Sequence, residues 1–226
     1  MKKAAIFGDS LMRGMYWNTQ LAKHKLWKNP YPARIAEASG VQLENHSFIG
    51  STISKGRSNF DKYLQKGLEC QLLLLEYGGN DSDYDWPKIA ATPQQEHLPK
   101  TLLPDFEQAY AELINQGISL GMQPVIMTLP PIDAQKYFNW FSRELNQQAL
   151  LQWLGDIGII YRHQEAYSLA CLRLAKAHDC PVIDLRGAFL LRRDLDDLIG
   201  IDGLHPTPLG YELIWQQIAE FFVNFD

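Results

Sequence analysis

Short apolar runs alternate along the chain with longer stretches in which apolar residues recur every three to four positions. The short runs, at residues 3–7, 41–47, 71–77, 124–129 and 181–185, read as strands. Leu72-Leu73-Leu74-Leu75 is apolar without alternation, the pattern of a central strand buried on both faces. Helical patterns fall between the strands, at 32–39, 59–66, 104–120, 134–154 and 161–178. A last helix at 208–224 has Thr207 as N-cap and Pro208 at its first position. Its apolar face is predicted to carry Leu209, Leu213, Ile214, Ile218 and Phe221. This alternation predicts a parallel sheet of five strands covered by helices.

Two connections are longer than such a fold needs. Residues 82–103 are rich in Pro, Gln and charged side chains, with Trp86 and His97 among them, and residues 132–160 carry Tyr137, Phe138, Trp140, Phe141 and Trp153. Long connections at the carboxyl edge of a sheet often bind ligands, which makes Trp86, His97 and Tyr137 candidate substrate contacts. For most of the aromatics the plainer reading is that they cover an inserted helix. Residues 12–30 also exceed a minimal first connection and are expected to line a pocket. With no repeat, low-complexity tract or linker, the expectation is one domain over 1–226 with insertions near 82–103 and 132–160.

Composition narrows the class. Of 226 residues, 46% are hydrophobic and 21% charged, enough for a full core. A net charge of -5 without a run of Lys or Arg argues against nucleic acid or an anionic membrane as partner. The apolar run after Lys2-Lys3 stops at Gly8-Asp9, too short for a signal peptide, and no apolar stretch reaches membrane-spanning length. Cys70, Cys171 and Cys180 lack CxxC spacing and read as buried thiols of a reducing compartment, so a cytoplasmic location is expected.

In open α/β sheets ligands bind beyond the carboxyl ends of the strands, and those ends carry the informative residues. The first run ends in Gly8-Asp9-Ser10-Leu11, the second leads to Gly50-Ser51-Thr52, and the third reaches Gly78-Gly79-Asn80-Asp81. Near the end of the chain stands Asp202-Gly203-Leu204-His205-Pro206. Ser10 alone reads as a helix N-cap. Together the four segments supply a hydroxyl nucleophile, an imidazole base, an orienting carboxylate and amide donors for an oxyanion. His205 would take the Ser10 proton and return it to the leaving group, with Asp202 fixing the tautomer. The N–H groups of Ser10 and Gly50 and the Asn80 amide would hold the oxyanion. Ser10 would serve as nucleophile and still begin a helix, because helix-start N–H groups lie where an oxyanion forms.

These four segments resemble the motif blocks of the SGNH (GDSL-type) hydrolases, in order and over nearly the whole chain. The resemblance implies a flavodoxin-like three-layer α/β/α fold with sheet order 2-1-3-4-5. It also implies hydrolysis of a small-molecule carboxylic ester or thioester, with neither metal nor cofactor. By position it makes Ser10 the nucleophile, His205 the base and Asp202 the third member of a triad, with Ser10, Gly50 and Asn80 in the oxyanion hole. The acyl group and its carrier, including acetylated sugars, stay open, as does acyl transfer in place of hydrolysis.

Competing readings are weaker. The nucleophile motif G-x-S-x-G of ordinary α/β-hydrolases fails at Met12. Asp81-Ser82-Asp83-Tyr84-Asp85 imitates a calcium loop, but Trp86 replaces its glycine and Thr92 its bidentate glutamate; Asp83 is kept as a possible substrate contact. Arg13 is a candidate for an anionic substrate group, though a solvated role is the plainer one. Among the other histidines, His46 is expected in a strand and His178 at a helix end, while His24 and His163 read as surface residues. A non-catalytic binding module of the same fold would leave Gly50, Asn80 and His205 unexplained.

Overall fold

The structure is a computed structural model and describes residues 2–225. The chain opens with β1 (Lys3–Phe7) and a hairpin of β2 (Met15–Asn18) and β3 (Lys23–Leu26), followed by α1 (Tyr31–Ser39), β4 (Gln42–Asn45), α2 (Ile53–Gln65) and β5 (Leu72–Leu75). The middle holds α3 (Trp86–Ala91), α4 (Leu103–Ser119), β6 (Gln123–Met127), α5 (Ala134–Phe141), α6 (Gln147–Leu154) and α7 (Gly158–Ala177). It ends with β7 (Val182–Ile183), α8 (Leu185–Leu190), α9 (Leu195–Leu198) and α10 (Pro208–Asn224).

Five strands form one parallel sheet in the order β4-β1-β5-β6-β7. Counting sheet strands alone, this is the expected 2-1-3-4-5. Its central strand is the Leu72–Leu75 run, buried on both faces. The twofold alternation of a strand sends its side chains to opposite sides. Leu72 and Leu74 join Ala4, Ile6, Val125 and Met127 under α1 and α10. Leu73 and Leu75 join Ala5, Phe7 and Ile126 under α2, α4 and α7. The edge strand β4 alternates exposed and half-buried residues instead.

Several local expectations are corrected. The helix predicted at 134–154 is two helices, because Asn146 caps α6 by accepting a hydrogen bond from Ala149 N at 3.1 Å. The helix predicted at 59–66 begins at Ile53, whose N–H donates to the Asp81 carboxylate at 3.0 Å, a cap supplied from a distant loop. Thr207 does cap α10, accepting from Gly210 N at 3.2 Å. The buried face of α10 is Tyr211, Ile214, Trp215, Ile218 and Phe222, whereas Leu209 is 61% exposed. Cys70 and Cys171 are buried thiols and Cys180 is half-buried.

The two long connections meet. Trp86 and Ile89 of the first pack with Ile132, Phe138, Leu150, Leu154 and Ile160 of the second in a third apolar cluster. Trp86 stacks on Phe141 with ring centroids 4.1 Å apart. Residues 12–30 form the β2–β3 hairpin, which leans on the second insertion through Trp17 and Trp140, 4.6 Å apart edge to face.

Candidate active site

Beyond the carboxyl ends of β1 and β5, Ser10, His205 and Asp202 form a hydrogen-bonded series. Ser10 Oγ lies 3.1 Å from His205 Nε2, and His205 Nδ1 lies 2.8 Å from Asp202 Oδ2. All three are buried. A carboxylate can only accept, so the His205 proton sits on Nδ1 and Nε2 faces the serine hydroxyl. Asp202 Oδ1 accepts from the N–H groups of Leu204 at 3.1 Å and His205 at 3.0 Å. Burial alone would raise the Asp202 carboxyl, but the His205 side chain and these backbone donors outweigh it and hold it at about 2. The carboxylate therefore stays charged beside the imidazole.

The spacing Asp-Gly-Leu-His has a structural cause at its second position. Gly203 has φ +70°, and a Cβ there would run into the backbone of Asp133 and Tyr137 at the start of α5. Asp133 N also donates to Gly203 O at 2.9 Å. The loop carrying His205 is thus keyed to the second insertion, and only glycine fits that conformation without strain.

Ser10 does not start a helix. Residues 10–14 make one turn, with Arg13 N donating to Asp9 O at 3.1 Å and Met15 N to Ser10 O at 3.0 Å, and the chain then enters the hairpin. Asp9 holds this turn: its Oδ1 accepts from Leu11 N at 2.8 Å and its Oδ2 from Asn80 Nδ2 at 2.6 Å. One Asn80 N–H is thereby fixed, leaving the other to donate elsewhere. Among the described residues, the N–H groups of Ser10 and Gly50 have no protein acceptor. Gly50 adopts φ +72° in an open turn, with no atom beyond its chain neighbours within 4 Å of where a Cβ would stand.

Beneath the turn lies a buried pair of carboxyls. Burial raises Asp9, and burial followed by the Asp9 charge pushes Glu76 well above its ordinary 4.5. Asp81 is also buried and pushed up to about 6.

Ser10, Asn80 and His205 open onto a cavity of about 800 Å³, part of it open to solvent. Its walls come from both insertions, α7 and the turn after β6, including Tyr84, Trp86, Leu129, Pro130, Ile132, Tyr137, Leu154, Ile160 and His163. Of the predicted substrate contacts, Asp83, Trp86 and Tyr137 line it. Asp83, however, is engaged by the protein. Its carboxylate accepts from Trp86 Nε1 at 2.9 Å, Tyr137 OH at 2.8 Å and Lys100 Nζ at 2.7 Å, which ties the insertions together. Trp86 and Tyr137 have their polar groups spent on that tie and offer ring surface to the cavity.

Arg13 and His97 lie elsewhere. Arg13 is exposed and lines a separate groove with His46 and Phe48. His97 lies 2.9 Å from Thr92 O and packs against Trp153, outside the cavity lining. Two histidines read as surface residues are in or near the site. His163 lines the cavity and lies 3.2 Å from the Tyr84 hydroxyl. His24, on β3, places Nε2 3.4 Å from Asp202 Oδ2. No sequence signal marks His24, because only the folded hairpin brings it to a residue 178 positions away. The Ile160 end of the second insertion, followed by His163 in helical register, was the available signal for the other.

The fold is that of α/β/α hydrolases with a flavodoxin-like sheet, and the comparisons place the chain among ester-hydrolysing enzymes. The chain belongs to the GDSL-like lipase/acylhydrolase family, whose sequence model matches residues 6–213. No curated protein sequence matches it. Its structure is similar to that of a lipase/acylhydrolase from Enterococcus faecalis, at TM-score 0.67 and 19% identity, covering 98% of this chain and 96% of that one. It is similar also to a catalytic mutant of an acetylxylan esterase from Geobacillus stearothermophilus, at TM-score 0.67 and 16% identity, covering 100% and 95%. A putative SGNH hydrolase from Slackia heliotrinireducens matches at TM-score 0.61 and 16% identity, covering 97% of each chain. Among the described residues no helix is long and apolar enough to cross a membrane.

Proposed function

We propose that this protein is a serine esterase that cleaves a carboxylic ester through an acyl-enzyme on Ser10. The observation that carries the reading is the series Ser10 Oγ–His205 Nε2 at 3.1 Å and His205 Nδ1–Asp202 Oδ2 at 2.8 Å, set at a cavity. Ser10 attacks the ester carbonyl as His205 Nε2 takes its proton. The imidazolium that forms is stabilised by the Asp202 carboxylate, whose low pKa keeps it from accepting that proton. Negative charge gathers on the carbonyl oxygen, where the Ser10 and Gly50 amides and the second Asn80 N–H donate. His205 then protonates the leaving alcohol, and water activated at the same nitrogen releases the acid.

The acyl group is proposed to enter the cavity between the insertions, since Leu129, Pro130, Ile132, Leu154 and Ile160 offer it apolar contact. A short acyl chain suits these walls, and the alcohol portion would leave toward solvent past the hairpin. The test is labelling by a fluorophosphonate probe together with turnover of p-nitrophenyl esters of graded acyl length. Ser10 should carry the label, and Ser10→Ala should fold normally and lose hydrolysis. Full activity in Ser10→Ala would sink the mechanism. Acetylated xylooligosaccharides in the same panel, with competing alcohol acceptors, separate sugar esters and acyl transfer from simple esterase action.

A further inference from the structure

His24 has no part in that mechanism, yet its ring lies 5.3 Å from the His205 ring and shares a carboxylate oxygen with it. Asp202 Oδ1 is held by two backbone N–H groups, so Oδ2 is fixed in place. That oxygen faces His205 Nδ1 at 2.8 Å and His24 Nε2 at 3.4 Å. One donor atom from each of the three residues lies within 4.8 Å of the other two. In a tetrahedral zinc site with bonds near 2.0–2.1 Å, neighbouring ligand atoms stand about 3.3 Å apart. The separations to Oδ2 lie near that value. The remaining one closes by at most about 1.5 Å on the same geometry.

From this geometry we propose that His24, Asp202 and His205 form a binding site for zinc, and that zinc bound there switches the esterase off. The donor set, two imidazoles and one carboxylate, suits a borderline cation such as Zn²⁺ and suits Mg²⁺ or Ca²⁺ poorly. The His24 side chain is 35% exposed, which gives the ion a path from solvent. Trp17 and Trp140 stand at 5.0 and 6.2 Å from its ring and restrict where it swings. On binding, His205 takes its other tautomer: the Nδ1–H bond breaks and that proton passes to solvent, Nε2 takes up a proton from solvent, and Nδ1 bonds to the metal as a neutral imidazole. His24 binds through Nε2 as the tautomer protonated on Nδ1. The fourth position takes water.

Inhibition follows from charge. Catalysis needs an anion beside His205 Nδ1 when Nε2 gains its proton, and the bound ion puts a cation there. Nε2, now protonated and beside a bound cation, can no longer take the Ser10 proton, while Ser10 itself is left untouched. The inhibitory half of the proposal rests on the esterase reading; the binding half does not.

The test uses the full chain, stripped with chelator and titrated with zinc chloride in a calorimeter, alongside p-nitrophenyl acetate turnover. Wild-type protein should bind one zinc and lose activity in parallel, with recovery on adding EDTA. His24→Ala should keep basal turnover and bind zinc at least about tenfold more weakly, the lower end of what even outer-shell changes cost a metal site. Magnesium and calcium should neither bind nor inhibit. Absence of one-to-one binding, or equal affinity in His24→Ala, overturns the site. Full turnover at saturating zinc overturns the inhibition. A protein with no esterase activity at all would sink the functional reading, while the calorimetric comparison would still decide the site.

Discussion

The interior of this protein is built in two ways. On either side of the sheet, side chains from neighbouring parallel strands alternate into two apolar layers beneath the covering helices. Under the insertions, short helices are held by ring stacking and by one carboxylate, Asp83, that accepts from Trp86, Tyr137 and Lys100. The first arrangement is continuous and close-packed, and it fixes where β1 and β5 end. The second is a wall added at that edge. The proposed chemistry lies between them: Ser10 and Asn80 ride on the sheet, while the His205 loop is keyed to α5 through Gly203. Changes at the edge should therefore act on turnover, changes in the layers on stability, and changes in the wall on substrate binding.

The largest effect tests the edge. His205→Ala should lower kcat by roughly 10⁶ and Asp202→Asn by roughly 10⁴, as expected when the acid orients the imidazole without carrying the proton. Both are measured with a p-nitrophenyl ester, with thermal unfolding as the control for folding. Equal losses would remove the division of labour between the two residues. A next, smaller effect tests the layers. Leu74 is fully buried in the central strand, and Leu74→Ala should cost about 3 kcal/mol. For a chain of this size that is roughly 6–12 °C in Tm, with turnover per folded molecule unchanged.

The same division explains what was legible in the sequence. Strand patterns are local, so the five strands and the two-faced burial of Leu72–Leu75 agree with expectation, while the strand order agrees with what the family resemblance implied. Ser10 follows the first strand, and Asp202 and His205 share a short motif in the loop before α10, so all three could be named from local sequence; they stand 3.1 and 2.8 Å apart in series. What escaped depends on partners far along the chain. The start of α2 is hidden because its cap is Asp81 rather than a neighbour. The hairpin has no apolar alternation, and β3, Lys-His-Lys-Leu, is exposed throughout, so it reads as loop. His24 inherits that invisibility. The helix α3 was within reach, since Asp85 caps it by accepting from Lys88 N at 3.2 Å. Arg13 and His97 lie away from the cavity for another reason: a place beside a motif, as for Arg13, or in a long connection, as for His97, does not set the direction of a side chain.

The wall gives a third effect. Phe141 is half-buried and stacks on Trp86, so Phe141→Ala should cost about 2 kcal/mol, less than the 3–5 typical of a fully buried ring. Its signature is in KM. Loss of the stack frees Trp86 to turn in the cavity, which should raise KM severalfold for longer acyl esters and leave kcat for acetate nearly unchanged. A fall in kcat with KM constant would mean that the wall supports the chemistry rather than the pocket.

The smallest effect asks what the sheet edge costs in buried charge. Asp81 is raised to about 6 by burial, above its ordinary 3.8. The folded state then binds more protons than the unfolded one between those values, so stability rises as pH falls through 6 and the gain levels off below 3.8. Between pH 7 and pH 5 this contributes about 1 kcal/mol, a few degrees in Tm. Asp202 has the opposite sign: held at about 2, it stabilises the fold above 3.8 and loses that effect as pH falls through 2, outside the tested range. Asp9 and Glu76, both raised, add to the slope of the wild-type protein. Asp81→Asn can keep the hydrogen bond from Ile53 N but has no proton to gain, so its Tm should climb less than that of the wild type from pH 7 to pH 5. Identical pH slopes in the two proteins would mean that Asp81 is solvated well enough to stay charged, and that the edge bears no such cost at this position.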